Sequence, residues 1–215
     1  MTGSRTAATF PPPVMEARRW IDGVTFPPDR PLINVSQAAP VDPPPPASRQ
    51  ATADAALTRD DAHLYGPVLG MPASRAGRST QINQHYAATT TADQVAITSG
   101  CNQAFAAAIA SLCDEGDEVI LPTPWYFNHK MWLDMAGVAA IPCPVGADMV
   151  PDPGSAEALI TARTRAIVIV TPNNPTGVEY RADTVRAFYD VARSHGNALI
   201  VDETYRDFAS RSAPP

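Results

Sequence analysis

Two short strings about thirty residues apart carry the side chains best suited to chemistry. They are Thr171-Pro172-Asn173-Asn174-Pro175-Thr176-Gly177 and Val201-Asp202-Glu203-Thr204-Tyr205. Each follows a run with buried-strand character, Ala166-Ile167-Val168-Ile169-Val170 and Ala198-Leu199-Ile200-Val201. The pattern predicts an amide (Asn174), a carboxylate (Asp202) and a phenol (Tyr205) at the carboxyl ends of two parallel strands, where open α/β sheets take their ligands. A carboxylate ending an apolar strand is costly to bury unless it meets a partner. The ordinary partner is an arginine or a helix N-terminus. The functional one is a pyridinium N–H, kept protonated by the aspartate so that the ring accepts electrons. An amide and a phenol beside it suit a phenolic oxygen on the same ring. Pyridoxal phosphate is such a ring.

Two further stretches gain meaning beside that pair. Ser99-Gly100-Cys101-Asn102 joins a strand end to a helix start, where backbone N–H groups and the helix dipole favour an anion such as a phosphate. Many strand-to-helix turns use glycine, so alone it reads as a plain turn, and it is not the GxGxxG of a dinucleotide site. Pro124-Trp125-Tyr126-Phe127 opens another helix with three aromatics. Alone these are packing residues; beside a planar cofactor, Tyr126 is the ring expected to stack, with Trp125 and Phe127 left to the core.

The elements that must position these residues are legible as alternating strands and helices. Strands are predicted at Gln94–Thr98, Glu118–Leu121, Val138–Ile141, Ala166–Val170 and Ala198–Val201, and helices at Asn102–Leu112, Tyr126–Met135, Ser155–Thr161 and Ala182–Ser194. Such alternation implies an α/β fold, three layers α/β/α around a mostly parallel sheet. Upstream, helices are predicted at Ala47–Arg59 and Ala73–Tyr86, separated by a loop containing Tyr65-Gly66-Pro67 and Gly70-Met71-Pro72. Much of the abundant proline lies early, at Pro11–Pro13, Pro27-Pro28 and Pro43–Pro46. Residues 1–48 therefore read as an extended arm with one short amphipathic helix near Val14–Trp20, and residues 49–215 as the sheet-bearing part.

Composition narrows the function classes. The 215 residues, 45% apolar and 18% charged, fit a globular chain with a sizeable core. A formal charge of −6 disfavours nucleic acid and anionic membranes as partners. No apolar run reaches the roughly 18 residues of a membrane span, and the first residues lack the apolar stretch of a secretory signal. Cys101, Cys113 and Cys143 have no metal-ligand or CxxC spacing, which predicts reduced thiols, a cytoplasmic location and no metal. His63, His85, His129 and His195 share no metal spacing and no evident acid partner, so they read as solvated or packing residues. Lys130, the one lysine of the sequence, reads as surface charge.

Taken together, the motifs resemble the fold-type I pyridoxal phosphate enzymes, in the class I/II aminotransferase branch. The resemblance runs from about Ile33 to Phe208 and is carried by Asn174-Pro175-Thr176-Gly177 and Asp202-Glu203-Thr204-Tyr205. Ser99-Gly100-Cys101-Asn102-Gln103-Ala104, Gly116-Asp117-Glu118-Val119 and Tyr65 followed by Gly70-Met71-Pro72 support it. It implies that Asn174 and Tyr205 bond the cofactor's phenolic oxygen, Asp202 its ring nitrogen, and Gly100, Cys101 and Asn102 its phosphate, with Tyr126 on the ring face. Tyr65 would reach the phosphate of a partner subunit in a homodimer. The arm at Asn34–Pro40 would close over the substrate, with Ala38 where the family has a glycine that admits the substrate carboxylate. Ser74 stands where a leucine is common. The resemblance further places the Schiff-base lysine, two arginines, the last two strands of the sheet and most of a small domain beyond Pro215.

On this reading the chain is an aminotransferase fragment, without a catalytic lysine and inactive alone, from an enzyme moving an amino group between an amino acid and a 2-oxo acid. Open alternatives are another pyridoxal phosphate reaction (a carbon–sulfur lyase or a decarboxylase), a non-catalytic ligand-sensing module and a truncated remnant, because a fold does not fix a reaction.

Overall fold

The computed structural model describes residues 3–37 and 42–208. Four strands form one sheet: β1 (Glu118–Thr123), β2 (Ala139–Pro144), β3 (Thr164–Val170) and β4 (Ala198–Asp202). All neighbours are parallel, in the order β2-β1-β3-β4. Parallel neighbours need crossover connections, supplied here by α6 (Phe127–Ala136) between β1 and β2, α7 (Pro153–Glu157) between β2 and β3, and α8 (Ala182–Ser194) between β3 and β4.

Strand periodicity of two divides the buried residues between the two faces. Val119 and Leu121 of β1 and Ala166 and Val168 of β3 pack with Leu133 of α6 and with Phe105 and Ile109 of α5 (Cys101–Leu112). Ile120, Ile167 and Ile169 pack on the opposite face with Ala156 of α7 and Phe188 and Ala192 of α8. The expected three layers are therefore present. Burying each of these larger side chains stabilises the fold by about 1.5–3 kcal/mol. The amino ends of the strands carry buried carboxylates with partners: Glu118 pairs with Arg163 and accepts from Thr161, and Asp117 lies 3.0 Å from Arg165.

Upstream lie α1 (Arg5–Ala8) and α2 (Pro13–Arg19) in the arm, then α3 (Pro46–Thr58) and α4 (Pro72–Tyr86). The arm is fastened to α6. Arg5 pairs with Glu115 and donates to the carbonyl of Ala136 at 3.3 Å, while Thr9 Oγ1 donates to Asp134 Oδ2 at 3.3 Å. Gly137, which ends α6 at φ +74°, makes room for that contact: a Cβ there would lie 2.8 Å from the Arg5 guanidinium.

Three expectations are corrected. Gln94–Thr98 is not a strand: a 3-10 turn covers Ala92–Gln94, and Val95 to Thr98 find no ladder partner among the described residues. Local contacts take up its backbone groups, with Ile97 N–H donating to Leu69 O at 2.9 Å and Arg75 Nε to Val95 O at 2.8 Å. The helix predicted at Ser155–Thr161 is earlier and shorter, Pro153–Glu157, because Asp152 caps it by accepting from Ser155 N–H at 2.8 Å and Pro153 suits its first turn. The arm holds a second short helix, α1. No helix among the described residues is long and apolar enough to cross a membrane.

Candidate cofactor site

The carboxyl ends of β3 and β4 are tied together, Thr171 N–H donating to the carbonyl of Asp202 at 2.9 Å. Beyond them the chain turns at Asn173, whose side chain is buried. Its Oδ1 accepts from Thr176 N–H at 3.1 Å and Thr176 Oγ1 at 2.7 Å, and its backbone pairs with Val178 and Gly177. Asn173 thus consumes its hydrogen-bonding capacity inside the turn, and Asn174 is left on the wall of a cavity.

Asp202 ends β4 with 7% of its surface exposed. Oδ1 accepts from Thr204 N–H at 3.0 Å and Thr204 Oγ1 at 2.7 Å, with Cys101 Sγ at 3.4 Å. Oδ2 lies 3.2 Å from Nε2 of His129. Burial by itself would raise the carboxyl's pKa, but the bonds from His129 and Thr204 outweigh it and bring the value down to about 2. Asp202 is therefore an anion at neutral pH. An ionised carboxylate only accepts, so His129 presents its hydrogen on Nε2. Next door, the Tyr86 hydroxyl donates to Glu203 and ties α4 to the end of β4.

Tyr126 and α5 close the cavity. Asn128 Nδ2 donates to the Tyr126 hydroxyl at 2.7 Å and approaches Asn102 Oδ1 at 3.4 Å. Burial pushes the Tyr126 phenol up, so it stays protonated. Gly100 precedes α5 at φ +94°, a conformation that favours glycine, and turns the chain so that the helix starts at the cavity edge. The first N–H groups of that helix have no intrahelical acceptor.

The cavity holds about 210 Å³. Cys101, Asn102, Tyr126, Asn174, Asp202 and Tyr205, six of the residues expected at the site, line it together with Val170 and Thr204. Gly100 adjoins it through Cys101. Tyr65 does not: it stands fully exposed on the loop before α4. Ala38 lies outside the described residues. A buried anion, an amide, a phenol, a ring face, an apolar floor at Val170 and a helix N-terminus complement in turn the N–H, phenolic oxygen, π-face and phosphate of pyridoxal phosphate. The residues present fit that group.

The sequence matches the family described as aminotransferase class I and II over residues 30–215. The chain belongs to this family. Among curated relatives, it is 32% identical to a probable aspartate/prephenate aminotransferase of Thermus aquaticus over 66% of this chain and 37% of that protein. It is 30% identical to a probable N-succinyldiaminopimelate aminotransferase of Mycobacterium tuberculosis over 80% of this chain and 44% of that protein. The three-dimensional structure of N-succinyldiaminopimelate aminotransferase from M. tuberculosis superposes with a TM-score of 0.86 at 27% identity, over 100% of this chain and 56% of that one. Aspartate aminotransferase from Thermotoga maritima gives 0.87 at 25% identity, over 100% and 57%. The chain spans about half the length of the relatives it matches.

Within this aminotransferase-family chain, sequence reasoning missed four residues around the cavity. His129 was expected to be a solvated or packing residue without an acid partner. It is 2% exposed, stacks on Phe105 at a centroid distance of 4.1 Å, meets Tyr126 edge-on and faces Asp202. Its spacing of three from Tyr126 was the available signal. Asn128, Asn173 and Thr204 position Tyr126, Asn174 and Asp202 respectively, and the Asp-x-Thr spacing of a side-chain-closed turn was the sign of the last. His195 also has an acid partner, Glu157 at 2.9 Å, but outside the cavity. Lys130 is not a free surface charge: it is half-buried, paired with Asp134 and 5.9 Å from the centroid of the Trp125 ring.

Proposed function

We propose that this chain is the cofactor-cradling part of a pyridoxal phosphate-dependent aminotransferase, which moves an amino group between an amino acid and a 2-oxo acid. The observation that carries the proposal is the buried, ionised Asp202 sharing one cavity with Asn174 and Tyr205. Bound there, the cofactor's ring would supply an electron sink for the substrate's α-carbon. Asp202 holds a proton on the ring nitrogen, and His129 and Thr204 keep it charged and oriented. Asn174 and Tyr205 hold the phenolic oxygen. Tyr126 covers one ring face and excludes water, and the N–H groups at Gly100, Cys101 and Asn102 take the phosphate.

The division into an arm (1–48) and a partial large domain (49–215), a homodimer and a cytoplasmic location belong to the same proposal. Exposed Leu57, Leu64, Tyr65 and Val68 cluster in sequence around α3 and the following loop, which supports a second copy covering that side and the partner subunit's Tyr65 completing each phosphate site. Free thiols at Cys101, Cys113 and Cys143 support the location. Lys130, on α6 and engaged with Asp134, lines neither the cofactor cavity nor its mouth, so the covalent tether is assigned to a lysine outside these 215 residues.

Titration with pyridoxal 5'-phosphate, followed through tryptophan fluorescence, tests the cradle. Saturable binding should weaken about tenfold or more in Asp202→Ala, the size of one charge-assisted contact. Equal affinity of the variant and the parent chain overturns the assignment.

A further inference from the structure

Cys101 opens α5 and lines the cofactor cavity, and its backbone and side chain belong to different parts of the cradle. The backbone N–H is part of the helix end assigned above to the phosphate. Sγ instead lies 3.4 Å from Oδ1 of Asp202, the residue assigned to the ring nitrogen. Burial, with the Asp202 charge beside it, pushes the thiol up, against a bond with Thr204 that acts the other way. At neutral pH the group is therefore an S–H facing a carboxylate that only accepts. Thr204 supplies two further donors to Oδ1 from just beyond β4, and His129 supplies one to Oδ2 from α6. Among these donors the thiol alone comes from α5.

We propose that Cys101 is a positioning residue for the ring nitrogen: its S–H holds the Asp202 carboxylate from the phosphate-binding helix, so that one residue couples the two ends of the cradle. The inference deepens the cofactor reading and rests on it. Both Thr204 donors sit two residues from Asp202 and travel with the end of β4, so they fix the carboxylate relative to its own strand. A contact from α5 fixes it relative to the helix end that takes the phosphate. The cofactor's ring is rigid, so the spacing between the two anchors decides whether both are satisfied at once. A thiol is a weak donor, and its contribution here is one of orientation. The plain alternative is a small residue that fits the start of a helix, where alanine would serve equally.

The test is a double-mutant cycle on the 215-residue chain with pyridoxamine 5'-phosphate, which needs no lysine and has no aldehyde to react with a thiol. Cys101→Ala keeps the backbone N–H and should weaken binding about three- to tenfold, the size of one hydrogen bond. Cys101→Ser keeps a donor and should lie nearer the parent than Cys101→Ala. In an Asp202→Ala background, Cys101→Ala should change the affinity by less than about twofold, because the thiol has nothing left to position. Thiol chemistry gives an independent readout. Cys101 is exposed and Cys113 half-buried, and the ligand should protect Cys101 alone from maleimide. Asp202→Ala should speed labelling of Cys101 about threefold or more, since the thiol loses an anion that keeps it protonated. Equal losses from Cys101→Ala with and without Asp202 overturn the inference, as does a serine variant no better than alanine, or a Cys101 that the ligand leaves unprotected or that Asp202→Ala labels no faster. Parent-like affinity in Cys101→Ala beside weakened binding in Asp202→Ala removes the inference and leaves the cradle standing. Failure of the parent chain to bind the ligand removes the cofactor reading and the inference with it.

Discussion

Nε2 of His129 lies 3.2 Å from Oδ2 of Asp202, and 3% and 6% of the two side chains is exposed. The pair joins the first turn of α6 to the end of β4. With the bonds from Thr204 it keeps the carboxylate charged against burial, which acts to raise its pKa. Oδ1 is held by Thr204 at the same time, so the carboxylate is fixed before any ligand arrives.

A pH dependence of stability follows from Asp202. Its folded value of about 2 is below the unperturbed value near 3.9. The group therefore contributes stability that is fully present above about pH 4 and is lost as pH falls towards 2, an effect of about 2 kcal/mol. Urea unfolding at pH 5 and pH 2.5 should show this loss in the parent chain. Asp202→Asn, lacking the ionisable group, should lose less over the same interval, because every other carboxylate is shared. Parallel losses in the two proteins would remove Asp202 as the cause.

His129→Phe separates the two tasks of the histidine. The phenyl ring keeps the stack on Phe105 and removes the donor to Asp202. Stability should fall by about 1–3 kcal/mol, the cost of leaving a buried acceptor short of a partner. Affinity for pyridoxal 5'-phosphate should fall by about tenfold. A variant that loses stability but binds the cofactor normally would confine His129 to packing.

Asn173 and Asn174 are adjacent but should respond oppositely. Asn173→Ala removes the acceptor for two Thr176 bonds inside the turn, costing about 1–3 kcal/mol of stability. Asn174→Ala should leave the unfolding free energy within about 0.5 kcal/mol of the parent and weaken cofactor binding. Denaturant titration alongside cofactor titration checks both. Loss of stability in Asn174→Ala would show that this amide also holds the fold.

Much of the site was legible because its strands pack against apolar layers on both faces. Runs such as Ala166–Val170 and Ala198–Val201 read as strands without any partner being known, so Asn174 and Asp202 could be placed at their ends. The alternation of strands and helices followed from the same pattern, whereas the strand order β2-β1-β3-β4 did not. What was not legible depends on contacts distant in sequence. Nothing local to His129 announces an aspartate 73 residues later, and nothing in Arg5 announces Glu115. Val95–Thr98 failed for the complementary reason. Its residues suit a strand, but a strand exists only with a neighbour, and its backbone groups are met by Leu69 and Arg75.

The chain should hold pyridoxal 5'-phosphate reversibly. Lys130 pairs with Asp134 on α6 and does not line the cofactor cavity, and the sequence has no second lysine. Borohydride treatment of the loaded 215-residue chain should therefore leave no pyridoxyl label in the peptide carrying Lys130, and dialysis should strip the cofactor. Turnover of amino acid and 2-oxo acid pairs should be absent from this polypeptide by itself. A label on Lys130 together with turnover would overturn the assignment of the tether elsewhere.

The arm offers a test of how it is held against α6. The Arg5–Glu115 pair is exposed, with 47% and 68% of the two side chains accessible, so its removal should change global stability by less than about 1 kcal/mol. Locally the effect should be larger, because Arg5 also donates to the carbonyl of Ala136, leaving the Thr9–Asp134 bond and the packing of α1 to hold the first residues to α6. Arg5→Ala should accelerate tryptic cleavage after Arg18 and Arg19 while leaving cleavage within 118–202 unchanged. Raising ionic strength should accelerate the same cuts in the parent chain and have less effect on the variant, since screening acts on the pair the variant lacks. Cleavage at equal rates in the two proteins at low salt would show that the arm is held by its apolar contacts alone.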